Sequence, residues 1–244
     1  MKTLSIIIPV YNEEKLIART IQGVMSADSC GLMKEIIIID DGSTDGTQNT
    51  IKILKSKFQS NPKSANFKII CILKEKNQGK GAALKAGFKM ATGDILMVQD
   101  ADGEYNVKDY PQLLLPLLNG RSKVVYGSRN VKRKIFHNKY SYLIFYLGGL
   151  LLAWMINVLY GLKLTDQPTG YKLFSKKIKH LLLQPRENRF SYEVALTATL
   201  AKQGIPFVEV PIHYKPRTLA EGKKINWLDF IKSVVVAVKY RLSS

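Results

Sequence analysis

Two carboxylates one residue apart, Asp100 and Asp102, follow the apolar run Ile95-Leu96-Met97-Val98 and Gln99. A short β-rich run that stops at charged residues reads as a buried strand, and the carboxyl end of such a strand is where open α/β sheets bind their ligands. Side chains at i and i+2 of extended backbone point the same way, so this pair can share one divalent cation. Hard cations such as Mg2+ or Mn2+ take oxygen ligands and keep positions open for substrate phosphates. An isolated D-x-D also fits a strand-end turn with two solvated aspartates. The surrounding segments decide between these readings.

Three of those segments carry related chemistry. The opening apolar run ends in Pro9-Val10-Tyr11-Asn12-Glu13-Glu14, which delivers a ring for stacking on a base and a carboxylate that accepts hydrogen bonds from a nucleoside. The competing reading is a strand-to-helix turn in which Asn12 caps and Glu13 and Glu14 complement the helix dipole. A second run ends in Ile39-Asp40-Asp41-Gly42-Ser43-Thr44-Asp45, whose adjacent carboxylates suit base N–H groups or ribose hydroxyls, or simply form a tight turn. Asn77-Gln78-Gly79-Lys80-Gly81 precedes a helix, so its backbone N–H groups and Lys80 can face a diphosphate. The spacing of a Walker loop is absent.

These segments must be held by a repeating scaffold. Strands are predicted at Leu4–Val10, Glu35–Asp40, Lys68–Leu73, Ile95–Gln99 and Val124–Gly127, with helices at Glu13–Ser26, Thr47–Phe58, Gly81–Ala91 and Val107–Leu118 between them. Repeated β-α-β predicts an α/β fold with a mostly parallel central sheet and helices on both faces. The second half changes character. A basic stretch, Arg129–Lys134, leads into Tyr140–Leu162, which is 23 residues without a charge. The turn-rich segment Asp166-Gln167-Pro168-Thr169-Gly170 follows, then a helix near Glu193–Gln203 and a strand around Pro206–Pro211. The tail places Trp227, Phe230, Ile231, Val234, Val235 and Val238 on one helical face, with Lys232, Lys239 and Arg241 mostly off it.

At 244 residues, 46% hydrophobic, the chain is long enough for a sizeable core. Its 37 Lys+Arg against 19 Asp+Glu give a formal charge of +18, which draws it to polyanions: nucleic acid, an anionic membrane or phosphorylated substrates. Cys30 and Cys71 form no metal-binding pattern and fit a reducing cytoplasm, and His137, His180 and His213 lack zinc-type spacing. No signal peptide is expected at the start, because polar residues follow the short run 4–10 at once.

Taken together, the segments resemble the family 2 inverting glycosyltransferases of nucleotide-diphospho-sugar (GT-A, Rossmann-like) fold. They are Ile7–Glu14, Asp40–Thr47, Asn77–Gly81 and Asp100–Gly103, in that family's order and spacing. Val125–Arg129, Thr165–Lys172, Tyr214–Thr218 and Gly222–Ile225 narrow the resemblance to dolichyl- or polyprenyl-phosphate sugar synthases.

The resemblance implies a nucleotide site at Pro9, Tyr11, Glu13, Asp40 and Asp41, with Lys80 and Ala101 beside it. It implies a Mg2+ or Mn2+ held by Asp100 and Asp102. Glu104 stands where many relatives carry a metal-binding Gln. Arg129, Arg217 and Lys223 are implied as phosphate contacts, with Asp102, Arg129 and Arg217 closest to the chemistry and Glu193 a sugar-hydroxyl contact or helix cap. The implied reaction moves a hexose, mannose ahead of glucose, from GDP-mannose or UDP-glucose to a polyprenyl phosphate. The implied division is one glycosyltransferase domain over 1–225, with a nucleotide-sugar and metal half (1–128) and an acceptor half (129–225). An amphipathic helix at 226–244 follows.

A lipid monophosphate is already anionic near neutral pH, so no strong general base is needed. The apolar 140–162 stretch meets the length rule for a membrane span. A span there would separate Arg217 and Lys223 from Asp100 and Asp102. A peripheral segment at the cytoplasmic face of a membrane is therefore expected, eased into a break by Gly148, Gly149, Asn157 and Gly161, with amphipathic segments or an anchoring partner keeping the protein there. A glycan acceptor would call for a Gln-x-x-Arg-Trp motif, which is absent. A basic nucleic-acid-binding protein would explain the charge but not the D-x-D.

Overall fold

The run Ser5-Ile6-Ile7-Ile8 and the run Glu35–Ile39 are apolar on both sides, as strands covered on two faces must be. A computed structural model of the chain describes residues 2–59, 67–131, 143–217 and 227–243. In it these runs form β1 (Thr3–Val10) and β2 (Met33–Asp40), paired in parallel with Ile7 beside Ile37 and Val10 beside Asp40. β3 (Phe67–Leu73) adds outside β2, and β4 (Ile95–Val98) adds on the other side of β1. The crossovers are α1 (Ile17–Ser26), α2 (Thr47–Gln59) and α3 (Lys80–Met90).

The second half extends the same sheet. α4 (Tyr110–Leu118), β5 (Val124–Ser128) and α5 (Leu143–Tyr160) are followed by β6 (Lys172–Ser175), α6 (Lys179–Leu182), α7 (Ser191–Lys202), β7 (Phe207–Pro211) and α8 (Trp227–Leu242). The order is β3-β2-β1-β4-β6-β5-β7, and β6 runs antiparallel to both its neighbours. The sheet is mixed and mostly parallel, as expected. β6 itself was not foreseen: four residues opening on a lysine are too short to show a period of two.

Alternate side chains of β1 and β2 feed opposite layers. Ile6, Ile8, Ile36 and Ile38 pack with α1 and α4, whereas Ile7, Ile37 and Ile39 pack with α3 and α7. Parallel register brings the carboxyl ends of β1, β2 and β4 to one rim. Every expected nucleotide and metal residue except Lys80 follows one of those ends.

Three local expectations change. Asn12 does not cap a helix: it sits at φ 49, and α1 begins only at Ile17 with no side-chain cap. α5 runs unbroken through Gly148, Gly149 and Asn157 and stops at Gly161, which takes φ 67. The two glycines serve approach rather than a break, since added Cβ atoms would stand 3.9 Å from Phe230 and 3.5 Å from Pro168. The apolar face of α8 is divided. Phe230, Val236 and Ala237 pack toward α5 and α7, while Trp227, Ile231, Val235 and Val238 remain exposed. Among the described residues no helix is long and apolar enough to cross a membrane.

Candidate active site

The turns after β1 and β2 are stitched together before they hold anything else. Thr44 N–H donates to Asn12 Oδ1 at 2.8 Å, Asn12 N–H donates to Ser43 Oγ at 2.9 Å, and Glu13 N–H donates to Thr47 Oγ1 at 2.9 Å. Gly42 is required here, because at φ 74 it passes so close to the Lys76-Asn77 backbone that a Cβ would lie 2.5 Å from it. Asp41 accepts from the N–H groups of Gln78 (3.1 Å) and Gly79 (2.6 Å) and pairs with Lys74 at 2.9 Å. Those two amides therefore face Asp41, not the cleft. Asp40 lies fully buried behind the wall, where Oδ1 takes Ser43 N–H and the Gln48 amide, and Oδ2 has no partner. Of the two adjacent aspartates only Asp41 lines the cleft, together with Pro9, Tyr11 and Glu13.

β4 stops at Val98, so Asp100 and Asp102 lie on the turn beyond it rather than on extended backbone. Gln99 anchors the turn from below by accepting from the hydroxyls of Tyr110 (2.9 Å) and Tyr171 (3.0 Å). Gly170 backs Asp100 so closely that a Cβ there would lie 2.2 Å from Oδ2. The aspartates meet different cations. Lys80 Nζ is 2.8 Å from Asp100, and the Arg217 guanidinium is 3.6 Å from Asp102. Burial, followed by the charges of Asp100 and Glu104, pushes the Asp102 carboxyl up to about 7. Three acids with a surplus of negative charge at the mouth of a cleft make a donor set suited to a divalent cation. Glu104 is not brought in as a third ligand: Oε2 accepts from the Tyr214 hydroxyl at 2.5 Å and Oε1 from Arg217 N–H at 2.8 Å. Among the described residues no three His, Cys, Asp or Glu side chains converge at metal-binding distance.

The two described arginines are held differently. Arg129 is clamped by Asp166 at 2.7 and 2.6 Å and stacks on the Tyr214 ring at 4.8 Å. Burial disfavours its charge, but Asp166 more than compensates and holds its pKa well above the ordinary value. Arg217 pairs with Glu13 at 2.9 Å. Lys223 and the rest of the Gly222–Ile225 motif lie outside the described residues, as do Lys132–Lys134 and the start of the 140–162 stretch.

Asp166 was read only as part of a turn, and its role as the orienting partner of Arg129 emerges from the fold. A signal was present, since a charged residue between Leu164 and the Gln-Pro turn is buried to 2%. Lys172, 1% exposed, was read only as the end of a motif.

One cleft of about 1040 Å³ connects all of this. Its floor holds Glu13, Asp41, Asp100 and Asp102, and Arg129 and Arg217 stand on its walls. Its far side is apolar: Leu147, Leu151 and Leu152 of α5 face Trp227 and Phe230 of α8.

The family model for glycosyl transferase family 2 matches residues 5–181. The UDP-N-acetylglucosamine–dolichyl-phosphate N-acetylglucosaminyltransferase of Methanococcus voltae is 32% identical over 234 residues, which covers 92% of this chain and 91% of that protein. A dolichyl-phosphate beta-glucosyltransferase of Trichomonas vaginalis is 26% identical over 257 residues, or 98% of this chain and 74% of its own. Among solved structures, the glucosyl-3-phosphoglycerate synthase of Mycobacterium tuberculosis with bound UDP superposes at a TM-score of 0.71 with 20% identity, covering 98% of this chain and 80% of that one. The same enzyme with Mg2+ and UDP gives 0.68 at 20% identity, covering 98% and 79%. That likeness is one of fold.

Proposed function

Since the chain belongs to glycosyl transferase family 2, we propose that it transfers a hexose from a nucleotide diphosphate sugar to the phosphate of a dolichyl- or polyprenyl-type lipid, inverting the anomeric carbon. The supporting observation is the single cleft that runs from the carboxylates at the strand ends to the apolar walls of α5 and α8. A small soluble acceptor has no use for those walls; a lipid phosphate does.

In the proposed reaction an anionic oxygen of the lipid phosphate attacks C1 of the sugar. The bond from C1 to the diphosphate oxygen breaks, and the nucleoside diphosphate leaves. The attacking oxygen carries no proton near neutral pH, so no side chain has to remove one. Asp100 and Asp102 would hold a Mg2+ or Mn2+, which when bound neutralises the leaving diphosphate. Arg217, on the loop before the described chain pauses, would release its carboxylates and take phosphate oxygens in a planar bidentate contact. Arg129, fixed by Asp166, offers a preoriented positive wall.

The sequence resemblance put mannose first. The relatives named above are called N-acetylglucosaminyl- and glucosyltransferases, so a UDP-sugar of gluco configuration becomes the leading donor and GDP-mannose the competitor. Membrane attachment is proposed through exposed apolar side chains. Leu147, Leu151, Trp154 and Val158 form a stripe on α5, and Trp227, Ile231, Val235 and Val238 form one on α8. The cytoplasmic face is the expected side.

The test is to incubate the protein with UDP-glucose, UDP-N-acetylglucosamine or GDP-mannose, Mg2+ or Mn2+, and polyprenyl phosphate. A glycolipid product from one donor is expected. Transfer to phosphoglyceric acid but not to lipid, or no product from any donor, would overturn the reading.

A further inference from the structure

Lys172 is a lysine where the fold asks for an apolar residue. It opens β6, is 1% exposed, and lies over the face of Tyr126 with Nζ 5.0 Å from the ring centre. Burying an ammonium is costly unless it is paired and hydrogen-bonded. The lysine donates to the Thr169 carbonyl, and its charged partner is Glu193 Oε1 at 3.4 Å. That same oxygen lies 3.4 Å from Lys80, whose ammonium also contacts Asp100. Charges alternate from the core outward: Lys172, Glu193, Lys80, Asp100.

The register explains the alignment. β6 pairs antiparallel with β4, with Lys172 directly opposite Val98, two residues before Asp100. Opposed residues of an antiparallel pair project to the same face. Lys172 therefore points into the layer where α7 presents Glu193, below the strand end that carries the aspartates. Glu193 stands in the first turn of α7 and lines the cleft. Its Oε1 is shared by two ammonium groups, and its Oε2 has no partner among the described residues. Beside it Gln167, fully buried, donates its amide to the Glu193 carbonyl at 3.2 Å and leaves Oε1 unpaired.

We propose that Glu193 is the residue that recognises hydroxyls of the donor sugar, and that Lys172 is its positioning residue. This rests on the donor reading above. A diphosphate at Asp100 and Asp102 leaves its sugar one bond further on, on the side of Asp100 that Lys80 bridges to Glu193. A carboxylate with one oxygen anchored and the other open accepts hydroxyl donors, and two cations behind it hold it ionised and aimed. An ordinary structural ion pair would not leave its carboxylate on the cleft wall.

The experiment measures affinity for UDP, UDP-glucose and the 2-, 3-, 4- and 6-deoxy congeners of UDP-glucose, with Mg2+ present. In the parent, loss of the recognised hydroxyl should weaken binding about tenfold or more, as for a hydrogen bond to a charged group. Glu193→Gln should bind UDP as the parent does while the deoxy series flattens, and Glu193→Asp should recover part of the ranking. Lys172→Met, compared at parent-like melting temperature, should keep UDP affinity and flatten the same hydroxyl's effect. If Lys172→Met does not fold, Lys172→Gln takes its place.

Full parent ranking in Glu193→Gln overturns the sugar site. A flattened series in Glu193→Gln with full ranking in both Lys172 variants removes the positioning role. Equal loss of UDP and UDP-glucose affinity makes the pair structural and overturns both. No UDP binding in the parent defeats the donor reading, and the sugar site falls with it.

Discussion

Arg217 and Glu13, 204 residues apart in the chain, form an ion pair with Nη1 2.9 Å from Oε2. The same guanidinium stands 3.6 Å from both Asp102 and Glu104, and its buried Nε has no hydrogen-bond partner. One cation thus serves a nucleotide-site acid and the expected metal acids together. Its unmade hydrogen bond marks an arrangement with room to improve when phosphate oxygens arrive.

Replacing Arg217 with Lys keeps the charge and loses the planar fork. Transfer should fall clearly in Arg217→Lys and further in Arg217→Ala, as measured by initial rates of glycolipid formation at saturating donor. Parent-like rates in both variants would reduce the loop to ordinary surface.

Asp102→Asn removes a metal ligand from a side chain that is 20% exposed, so the fold should survive. Loss of a major electrostatic contributor typically costs about 10²–10³ in kcat. Transfer should drop on that scale, and a chelator should silence the parent. Near-normal turnover of the variant, or full activity in the chelator, would refute metal use by this pair.

The raised Asp102 pKa makes a signed prediction for the metal-free protein. With about 7 in the folded chain against 3.8 ordinarily, the folded state holds a proton that the unfolded state has lost between those values. Stability from this group therefore falls as pH rises from about 4 to 7, and the penalty is complete above 7. Asp102→Asn should raise the melting temperature more at pH 8 than at pH 4.5. Metal binding needs the ionised form, so Mn2+ affinity should climb toward pH 7 and then level off. Titration calorimetry at several pH values would show a flat profile if Asp102 is ordinary.

Vesicle binding should combine two contributions. Basic residues near an anionic surface contribute about 1 kcal/mol each and are screened by salt, whereas buried apolar area contributes roughly 25 cal/mol per Å² and is not. High salt should weaken attachment without abolishing it. Ile231→Glu or Val235→Glu on the exposed face of α8 should reduce it with little change in melting temperature. In sealed vesicles, protease should reach residues 1–128 and 164–244 from the same side. Protection of one half alone would show a span.

By itself the sequence determined the elements with a strong local signature. Apolar runs of five or more residues specified β1 to β5 to within two residues at each end, because such runs are stable only when covered on both faces. The acids placed directly after β1, β2 and β4 specified the rim of the cleft, since parallel strands share one carboxyl end. Family resemblance added the nucleotide and phosphate roles.

What only the tertiary structure decided were contacts between residues distant in the chain, where no periodicity helps. Asp166 clamps Arg129, Arg217 bridges Glu13 and Asp102, and Asp41 faces the cleft while Asp40 does not. β6 needed β4 and β5 on either side before four residues with a leading lysine became a strand. Lys172 acquires a partner only because that strand lies antiparallel beside Val98 and beneath α7. A buried charge is tolerated only where its counter-charge also sits, and folding alone brings the two together.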